Sequence, residues 1–289
     1  MKNILITGSD GQLGSELQFL SKEYKEYNYF FTDKDTLDIT NIDDLTVFFE
    51  KNAIDYIINC AAYTAVDKAE EDIEFANLLN AKAVENLLDA SKKTNTKLFQ
   101  ISTDYVFGGK HNTPLTEGLP THPESSYGLS KLKGEQAAEK SNRAIIIRTS
   151  WLYSSFGNNF VKTIQKYGKE RDELKVVFDQ VGTPTYARDL ARAILDIIVN
   201  SEQNNQFKNG IYHYANEGVI SWYDFAIEIC SFSNIEVEIK PVLSALFPTP
   251  AKRPSYSVLD KNKIKETFNI QIPYWKKSLV KCIEIIKNN

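Results

Sequence analysis

A tyrosine and a lysine stand four residues apart in the segment Tyr127–Lys131, which reads YGLSK. On an α-helix, residues at positions i and i+4 lie on one face, so the phenol and the ammonium group would be neighbours. The pKa of a free tyrosine is near ~10, and the phenol is a poor acid or base at neutral pH unless a nearby charge lowers that value. A lysine one turn away supplies such a charge. The pair therefore indicates proton transfer, although the same spacing also occurs by chance on exposed helices.

A threonine follows a predicted strand in the run Ile101–Asp104, which reads ISTD. Ligands bind outside the carboxyl ends of the strands in open parallel sheets, so the hydroxyl group of Thr103 should lie near the site that Tyr127 faces. A carbonyl oxygen held between these two hydroxyl groups is well placed for reduction. Thr103, Tyr127 and Lys131 are therefore the predicted catalytic residues, and Lys131 could also hold the ribose of a nicotinamide cofactor.

A glycine-rich turn near the start of the chain, GSDGQLG, predicts where that cofactor binds. It follows an apolar strand and opens a helix, with GxxGxxG spacing in place of the commoner GxGxxG. Glycines let the backbone approach a pyrophosphate, and the helix N-terminus offers free N–H groups and a partial positive charge. A purely structural turn is the alternative. The predicted contacts to the cofactor from this turn are Gly8, Gly11, Gln12, Leu13 and Gly14.

An acidic residue closes the second predicted strand. Asp33 stands at about the sequence distance where a carboxylate binds the adenosine ribose hydroxyls. Lys34 follows directly and could instead attract a 2′-phosphate, so NADH is favoured as the cofactor and NADPH is tolerated. Asp38 and Ile39 end the next extended segment and are candidates to flank the adenine, with a simple turn as an equally good explanation.

The elements that must position these residues alternate between strands and helices through the first half of the chain. Apolar runs predict strands at 3–7, 27–32, 55–60, 97–102 and 144–148. Helical spacing predicts helices at 13–25, 42–52, 75–93 and 127–140. Apolar strands separated by helices are typical of a parallel sheet that is covered on both faces. The predicted fold class is therefore α/β, with a Rossmann-type doubly wound sheet.

The pattern becomes less regular after Trp151. Helices are predicted at 159–169, 187–200 and 223–231, and short strands at 175–178 and 211–214. We expect a dinucleotide-binding domain over 1–150 and about 179–215. A smaller, discontinuous α/β substrate-binding domain would cover about 151–178 and 216–289.

The composition narrows the classes of function. A net charge of −4 with both signs interspersed gives no basic surface for nucleic acid. Three histidines and three widely spaced cysteines argue against a zinc site. No stretch is long and apolar enough for a signal peptide or a bilayer span, so we expect neither a membrane partner nor export from the cytoplasm.

Eight stretches resemble the extended short-chain dehydrogenases and, within them, the family of dTDP-4-dehydrorhamnose reductases. The first four cover the glycine turn, the third and fourth strand ends and the Tyr–Lys pair, whereas the later four are specific to the reductases. They are Gly8–Leu17, Asn59–Glu71, Ser102–Phe107, Tyr127–Glu135, Arg148–Tyr153, Gly157–Phe160, Asp179–Thr185 and Thr249–Pro254.

The resemblance implies an NADH- or NADPH-dependent reduction of the C4 ketone of dTDP-4-dehydro-6-deoxy-L-mannose to dTDP-L-rhamnose. The ligand would be a dTDP-linked deoxyketosugar, and a homodimer is one option for the assembly. Some relatives hold a magnesium ion through acidic side chains. Only Glu16 matches that pattern here, so we expect no required metal.

The resemblance also assigns roles to residues that the spacing alone did not identify. Thr103 and Asp104 would contact the sugar and Trp151 would pack beside it, although a tryptophan in the core is the alternative for Trp151. Asn159 and Arg253 are candidates for nucleotide contacts, with a helix-capping asparagine and a surface arginine as alternatives. The residues that would line the cofactor are Ala62, Tyr63 and Thr64.

Three other functions share this fold. Sugar-nucleotide dehydratases usually carry an Asp-Glu pair after the catalytic threonine, and here Thr103 is followed by Asp104 and Tyr105. A nucleotide-sugar epimerase keeps its nicotinamide bound while the sugar is released, rotated and bound again, and the sequence does not exclude this function. The non-catalytic regulatory subunit of methionine adenosyltransferase is a third alternative. It is disfavoured because Thr103 and the Tyr–Lys pair are all present.

Asp33 gives the first testable prediction. Replacing Asp33 with alanine should weaken NADH binding, because the hydrogen bonds to the ribose are lost, and should affect NADPH less. The expected change in preference is about 1–3 kcal/mol, as for a hydrogen bond to a charged group. Fluorescence titration with both cofactors measures it. Equal losses for NADH and NADPH would remove Asp33 from the ribose site.

Overall fold

The core of the chain is a six-stranded parallel sheet, seen in a computed structural model that describes residues 1–288. The strands of the chain are β1 (Lys2–Thr7), β2 (Tyr27–Thr32), β3 (Tyr56–Asn59), β4 (Lys97–Thr103), β5 (Ala144–Thr149), β6 (Leu152–Tyr153), β7 (Glu173–Val177), β8 (Val181–Gly182), β9 (Thr185–Tyr186), β10 (Gly210–His213), β11 (Ile220–Ser221) and β12 (Glu238–Val242). The main sheet has the order β10-β5-β4-β3-β1-β2. The chain reverses its direction of winding at β1, which pairs with both β2 and β3.

Helices cover both faces of this sheet. They are α1 (Gln12–Leu20), α2 (Ile42–Lys51), α3 (Ile73–Asn77), α4 (Ala83–Ala90), α5 (Ser126–Glu139), α6 (Phe160–Glu170), α7 (Ala187–Gln203), α8 (Trp222–Ser233), α9 (Asn262–Phe268) and α10 (Trp275–Asn288). In β1, Ile4 and Ile6 pack against α1 and α7, whereas Leu5 packs against α2 and α4. This two-sided burial explains the continuous apolar strands and confirms the predicted doubly wound α/β class.

A second apolar cluster lies in the second half of the chain. It joins α6, α8 and α10 to the parallel pair β7–β12. The chain returns to the main sheet through α7, which packs against α1, and through β10, which pairs with β5. Separate apolar clusters are what two domains would require, and the predicted domain boundaries stay a prediction. Within residues 1–288, no helix has both the length and the apolar character to cross a bilayer.

The predicted single helix at 75–93 is wrong in its centre. The structure has α3, then a π-helical turn over Leu78–Lys82, then α4. In the π turn, the side-chain amide of Asn80 accepts a hydrogen bond from Tyr63 N at 2.9 Å and donates one to Tyr63 O at 3.1 Å. It also donates to Ser130 Oγ of α5 at 2.9 Å. These tertiary hydrogen bonds stabilise the wider turn, which side-chain periodicity does not encode.

Close packing of α5 on the π turn requires a glycine. A Cβ atom built on Gly134 would lie 2.1 Å from the carbonyl oxygen of Asn80. The backbone of the turn would therefore have to move to admit any side chain at this position.

We expect Gly134→Ala to lower the free energy of unfolding by about 1–3 kcal/mol, as for an overpacked core position. Urea denaturation measures the change. Gly118→Ala is the matched control, because a Cβ atom there meets nothing within 4 Å, and it should change stability by less than about 0.5 kcal/mol. Equal midpoints for the two variants would contradict the packing argument.

Candidate active site

The carboxyl ends of the central strands open into one cleft. Among the residues that line it are the ends of β1, β2 and β3 and the loops that follow them. The lining residues are Thr7, Gly8, Gly11, Asp33, Lys34, Leu37, Asp38, Ile39, Cys60, Ala61, Ala62 and Leu79. This is the edge of a doubly wound sheet where nucleotides bind, at the point where the winding reverses.

The glycine turn brings the backbone against the neighbouring loop. Gly8 has a φ of +63°, and a Cβ atom on it would lie 2.6 Å from the nitrogen of Ala61. A Cβ atom on Gly14 would lie 2.4 Å from Gly8 O, so α1 packs directly on the turn. Leu13 is buried in the core and can offer only its backbone, and the side chain of Gln12 accepts a hydrogen bond from Asn159. The turn fits the pyrophosphate of a dinucleotide.

The predicted adenosine residues lie together at one end of the cleft. Asp33 Oδ2 accepts a hydrogen bond from Asp10 N at 3.1 Å, and Oδ1 accepts one from Lys34 N at 2.7 Å. The carboxylate is therefore fixed at the end of β2. Asp38 accepts hydrogen bonds from Thr40, and Ile39 is buried, so both residues also stabilise the turn there.

The loop after β3 forms another wall. Ala62 lines the cleft, the backbone of Tyr63 is held on both sides by Asn80, and Thr64 is exposed. Nothing in the local sequence around Asn80 indicated this role, because it depends on the π turn. Asn80 is a residue that sequence reasoning missed.

Tyr127 lies in the first turn of α5, which is capped by Ser125. Its ring is buried and meets Tyr105 edge-on at 5.5 Å between centroids. Burial raises the pKa of the Tyr127 phenol to about 12, although an interaction with the Thr103 side chain opposes that rise. The phenol therefore carries its proton at neutral pH and can donate it.

Lys131 lies one helical turn further along the same face and is also buried. Its ammonium group donates to Ile101 O at 2.7 Å, at the end of β4. Burial lowers the pKa of Lys131 to about 8, and the charge of Glu135 opposes this fall. Tyr127 and Lys131 thus share one face of α5, as their spacing predicted, and both lie near the end of β4 that carries Thr103. Their catalytic roles stay predictions.

A buried ion pair lies beneath these residues. Arg148 of β5 donates to both carboxylate oxygens of Glu135, at 2.9 and 2.7 Å, and Ser102 donates to the same carboxylate at 2.5 Å. Glu135 follows Tyr127 and Lys131 at the next i+4 position of α5. That spacing could have identified it, and our sequence reasoning did not use it.

Asp104 continues the site beyond Thr103. Thr103 donates to its Oδ1 at 3.0 Å, and Oδ2 is buried with no hydrogen-bond partner among the residues that the structure describes. Burial raises the pKa of Asp104 to about 6, against the opposing hydroxyl groups of Ser257 and Thr103. Asp104 thus lies buried between Thr103 and Ser257, at the end of β4.

The three remaining predicted contacts with the substrate, Trp151, Asn159 and Arg253, are each held by other protein groups. Trp151 stacks on Trp222, with centroids 3.7 Å apart. Asn159 caps α6 by accepting from Lys162 N at 3.2 Å, so the structure shows its capping role. Arg253 is half-buried and donates two hydrogen bonds to Asp67, at 2.9 and 2.7 Å.

A second pocket adjoins Arg253 and Trp222. Its lining combines aromatic rings with cationic groups, which suits a ligand with a flat base and an anionic group. The residues are Phe160, Thr163, Ile164, Tyr167, Arg171, Glu173, Leu174, Lys175, Val176, Val177, Gln180, Trp222, Phe247, Thr249 and Arg253.

Glu16, the residue with a possible metal role, is engaged by other side chains. Ser154 Oγ and Arg188 Nε each donate to a different carboxylate oxygen of Glu16, both at 2.6 Å. Across residues 1–288, no group of three or more His, Cys, Asp or Glu side chains is arranged to hold a metal ion.

The chain is similar to known proteins along almost its whole length. A family model described as the RmlD substrate binding domain matches residues 1–288. The dTDP-4-dehydrorhamnose reductase of Aggregatibacter actinomycetemcomitans is 40% identical over 286 residues, which are 96% of this chain and 97% of that protein.

Two solved structures are similar along their full length. A dTDP-4-dehydrorhamnose reductase from Clostridium acetobutylicum has a TM-score of 0.92 at 44% identity and covers 99% of both chains. The one from Bacillus anthracis, solved in complex with NADP, has a TM-score of 0.92 at 40% identity and covers 99% of this chain and 100% of its own.

The lowered pKa of Lys131 predicts a pH dependence. If the ammonium group contacts the cofactor ribose, NADH binding should be fully supported well below pH 8 and should weaken as the pH rises through about 8, where Lys131 loses its proton. Loss of a charged hydrogen bond should weaken binding about tenfold or more. Fluorescence titration of NADH from about pH 6.5 to about pH 9.5, roughly 1.5 pH units on either side of that pKa, measures the change.

Lys131→Arg is the control for this titration, because a guanidinium group stays charged throughout this pH range. The variant should lose the alkaline weakening. A wild-type affinity that stays constant across the range would show that the charge of Lys131 does not act on the cofactor.

Proposed function

The chain belongs to the RmlD substrate-binding-domain family, and on that premise we propose that it is an NADH- or NADPH-dependent oxidoreductase that reduces the C4 ketone of dTDP-4-dehydro-6-deoxy-L-mannose to dTDP-L-rhamnose. The observation that carries the proposal is the arrangement at the end of β4. A protonated phenol at Tyr127 interacts with the Thr103 hydroxyl group, beside a cleft that fits a dinucleotide.

The cleft accounts for the cofactor. Backbone groups of Gly8, Gly11, Gln12, Leu13 and Gly14 would bind the pyrophosphate at the start of α1. Asp33 would bind the adenosine ribose, with Asp38 and Ile39 beside the adenine and Ala62 to Thr64 along the other wall. The reduced nicotinamide supplies a hydride when bound. A relative of known structure binds NADP, which supports this use of the cleft.

The proton comes from Tyr127. Its raised pKa keeps the phenol protonated, so it can donate to the C4 oxygen while that oxygen gains charge. Thr103 would hold the same oxygen from its other side and fix the orientation of the carbonyl group. The buried ammonium group of Lys131 would stabilise the phenolate that remains. Together these groups transfer one proton to one oxygen.

The sugar and the nucleotide of the substrate would lie on the side of Thr103, Tyr127 and Lys131 that faces away from the cofactor cleft. Asp104 would accept a hydrogen bond from a sugar hydroxyl group, and Trp151 would pack against the sugar ring. The second pocket would take the nucleotide, with aromatic rings for the base and Arg253 for the diphosphate. Asn159 would contribute by joining α6 to Gln12 of the glycine turn.

The alternative functions are less well supported. Several curated relatives at 35–40% identity are named as reductases. Epimerases and dehydratases of known structure are similar at only 16–19% identity, and that likeness concerns the fold alone. A non-catalytic binding subunit would leave the arrangement of Thr103, Tyr127 and Lys131 without a purpose.

We further propose that the protein works in the cytoplasm, where reduced nicotinamide cofactors are regenerated. A homodimer stays one option for the assembly, and the absence of a nucleic-acid partner and of a required metal stay predictions.

The direct test follows the hydride. With the L-configured 4-ketosugar and NADH, the enzyme should consume one cofactor for each sugar reduced, because no step regenerates the cofactor. NADH deuterated on the transferred face should place its label on C4 of the product. Absorbance at the nicotinamide band and NMR of the product measure both quantities. Conversion of the sugar without net loss of NADH, or label at another carbon, would contradict the reductase and favour an epimerase or dehydratase.

Tyr127→Phe provides the control for this experiment. It should leave folding and cofactor binding nearly intact and lower kcat by about 10²–10⁴-fold, the range for a positioned proton donor. A variant that retains more than half of the wild-type rate would show that another group supplies the proton.

A further inference from the structure

Trp151 has an unusual backbone conformation. Its φ is +47°, in the left-handed region that bulky side chains rarely adopt. The other non-glycine residues of residues 1–288 with positive φ are all asparagines, which tolerate that region. Strain of this kind persists only where the surroundings hold the residue, and it is concentrated at functional sites.

One partner that holds Trp151 is Trp222, at the start of α8. The two indole rings are stacked, with centroids 3.7 Å apart and an angle of 11° between their planes. Phe160 supports Trp222 in turn, at 4.6 Å between ring centroids. One face of the Trp151 indole is therefore covered by a second aromatic residue that is itself packed.

The other partner is the segment Asp179–Thr185, which reads DQVGTPT. A Cβ atom on Gly182 would lie 2.8 Å from Cε2 and 2.9 Å from Cζ2 of Trp151. It would also lie 2.6 Å from the hydroxyl oxygen of Ser257, the residue that interacts with Asp104. The same segment is also hydrogen-bonded to the backbone of Trp151, since Thr185 N donates to Trp151 O at 3.2 Å.

We propose that Gly182 and Trp222 are positioning residues for the reaction: they hold the Trp151 indole in one orientation next to Asp104, so that it forms a fixed wall for the sugar ring. This inference rests on the proposed function for its ligand. A fixed wall lowers the entropy lost on binding and presents the C4 oxygen to Thr103 and Tyr127 in one orientation. Trp222→Phe removes one support of the indole and Gly182→Ala displaces its ring, and neither substitution is at a proton-transfer group.

Far-UV circular dichroism gives a direct signature, because two stacked indoles couple excitonically. The chain has three tryptophans, and Trp275 stacks on neither of the other two. The wild type should show an exciton couplet, Trp222→Phe should lose it, and the matched control Trp275→Phe should keep it. Gly182→Ala should weaken the couplet, because the new methyl group displaces the Trp151 ring, whereas Gly118→Ala should leave it unchanged.

Ligand affinity tests whether the fixed indole contributes to binding of the sugar. Calorimetry with dTDP-L-rhamnose and with dTDP alone separates the sugar from the nucleotide. Gly182→Ala should weaken dTDP-L-rhamnose about tenfold and dTDP less than about threefold, because Gly182 is not among the residues that line the nucleotide pocket. Trp222 lines that pocket, so Trp222→Phe should weaken both ligands, and dTDP-L-rhamnose by the larger factor. Trp275→Phe and Gly118→Ala should change neither affinity.

The outcomes separate this proposal from the proposed function. A wild type without the couplet, or variants that lose it and still bind dTDP-L-rhamnose normally, would overturn the positioning role. Equal losses for dTDP and dTDP-L-rhamnose would also overturn it, because they indicate a general structural effect. A wild type that passes both tests but does not reduce the ketone would contradict the proposed function and leave the positioning of the sugar supported.

Discussion

The ion pair between Glu135 and Arg148 is the contact on which the geometry of the candidate site depends. It is almost fully buried and joins α5 to β5, while Ser102 ties the same carboxylate to β4. Removal of one partner would leave a charge uncompensated in a low-dielectric interior, which costs several kcal/mol. The angle of α5 to the sheet is therefore strongly fixed. Since Tyr127 and Lys131 lie on the face of α5 that carries Glu135, their distance from Thr103 is fixed with it.

Burial acts on the two titrating groups of α5 in opposite directions. It disfavours the charged form of each, so the pKa of Tyr127 rises and the pKa of Lys131 falls. A phenol that keeps its proton beside an ammonium group that can still be charged at neutral pH is the state that ketone reduction needs. The same low-dielectric environment raises the pKa of Asp104.

Much of this arrangement could be predicted from local pattern. Apolar runs located the strands of the main sheet, and a parallel sheet necessarily brings their carboxyl ends to one edge, so Gly8, Asp33 and Thr103 could be assigned to the same edge of the sheet. The spacing of Tyr127 and Lys131 needed only a helix. Features made by contacts between distant segments could not be predicted. The π turn depends on Asn80 meeting Tyr63 and Ser130, and the indole of Trp151 is packed between Trp222 and Gly182. Neither leaves a periodic signal in the sequence.

The separation in sequence between β5 and its partner β10 affects folding during synthesis. Strand β5 ends at residue 149, but its outer neighbour β10 begins only at residue 210. During synthesis, the outer hydrogen-bonding edge of β5 thus has no partner until about sixty more residues have left the ribosome. An unpaired edge of this kind is a template for aggregation. The nascent chain is consequently most vulnerable in the interval between these two strands, and premature termination within that interval would release a fragment with an open sheet edge.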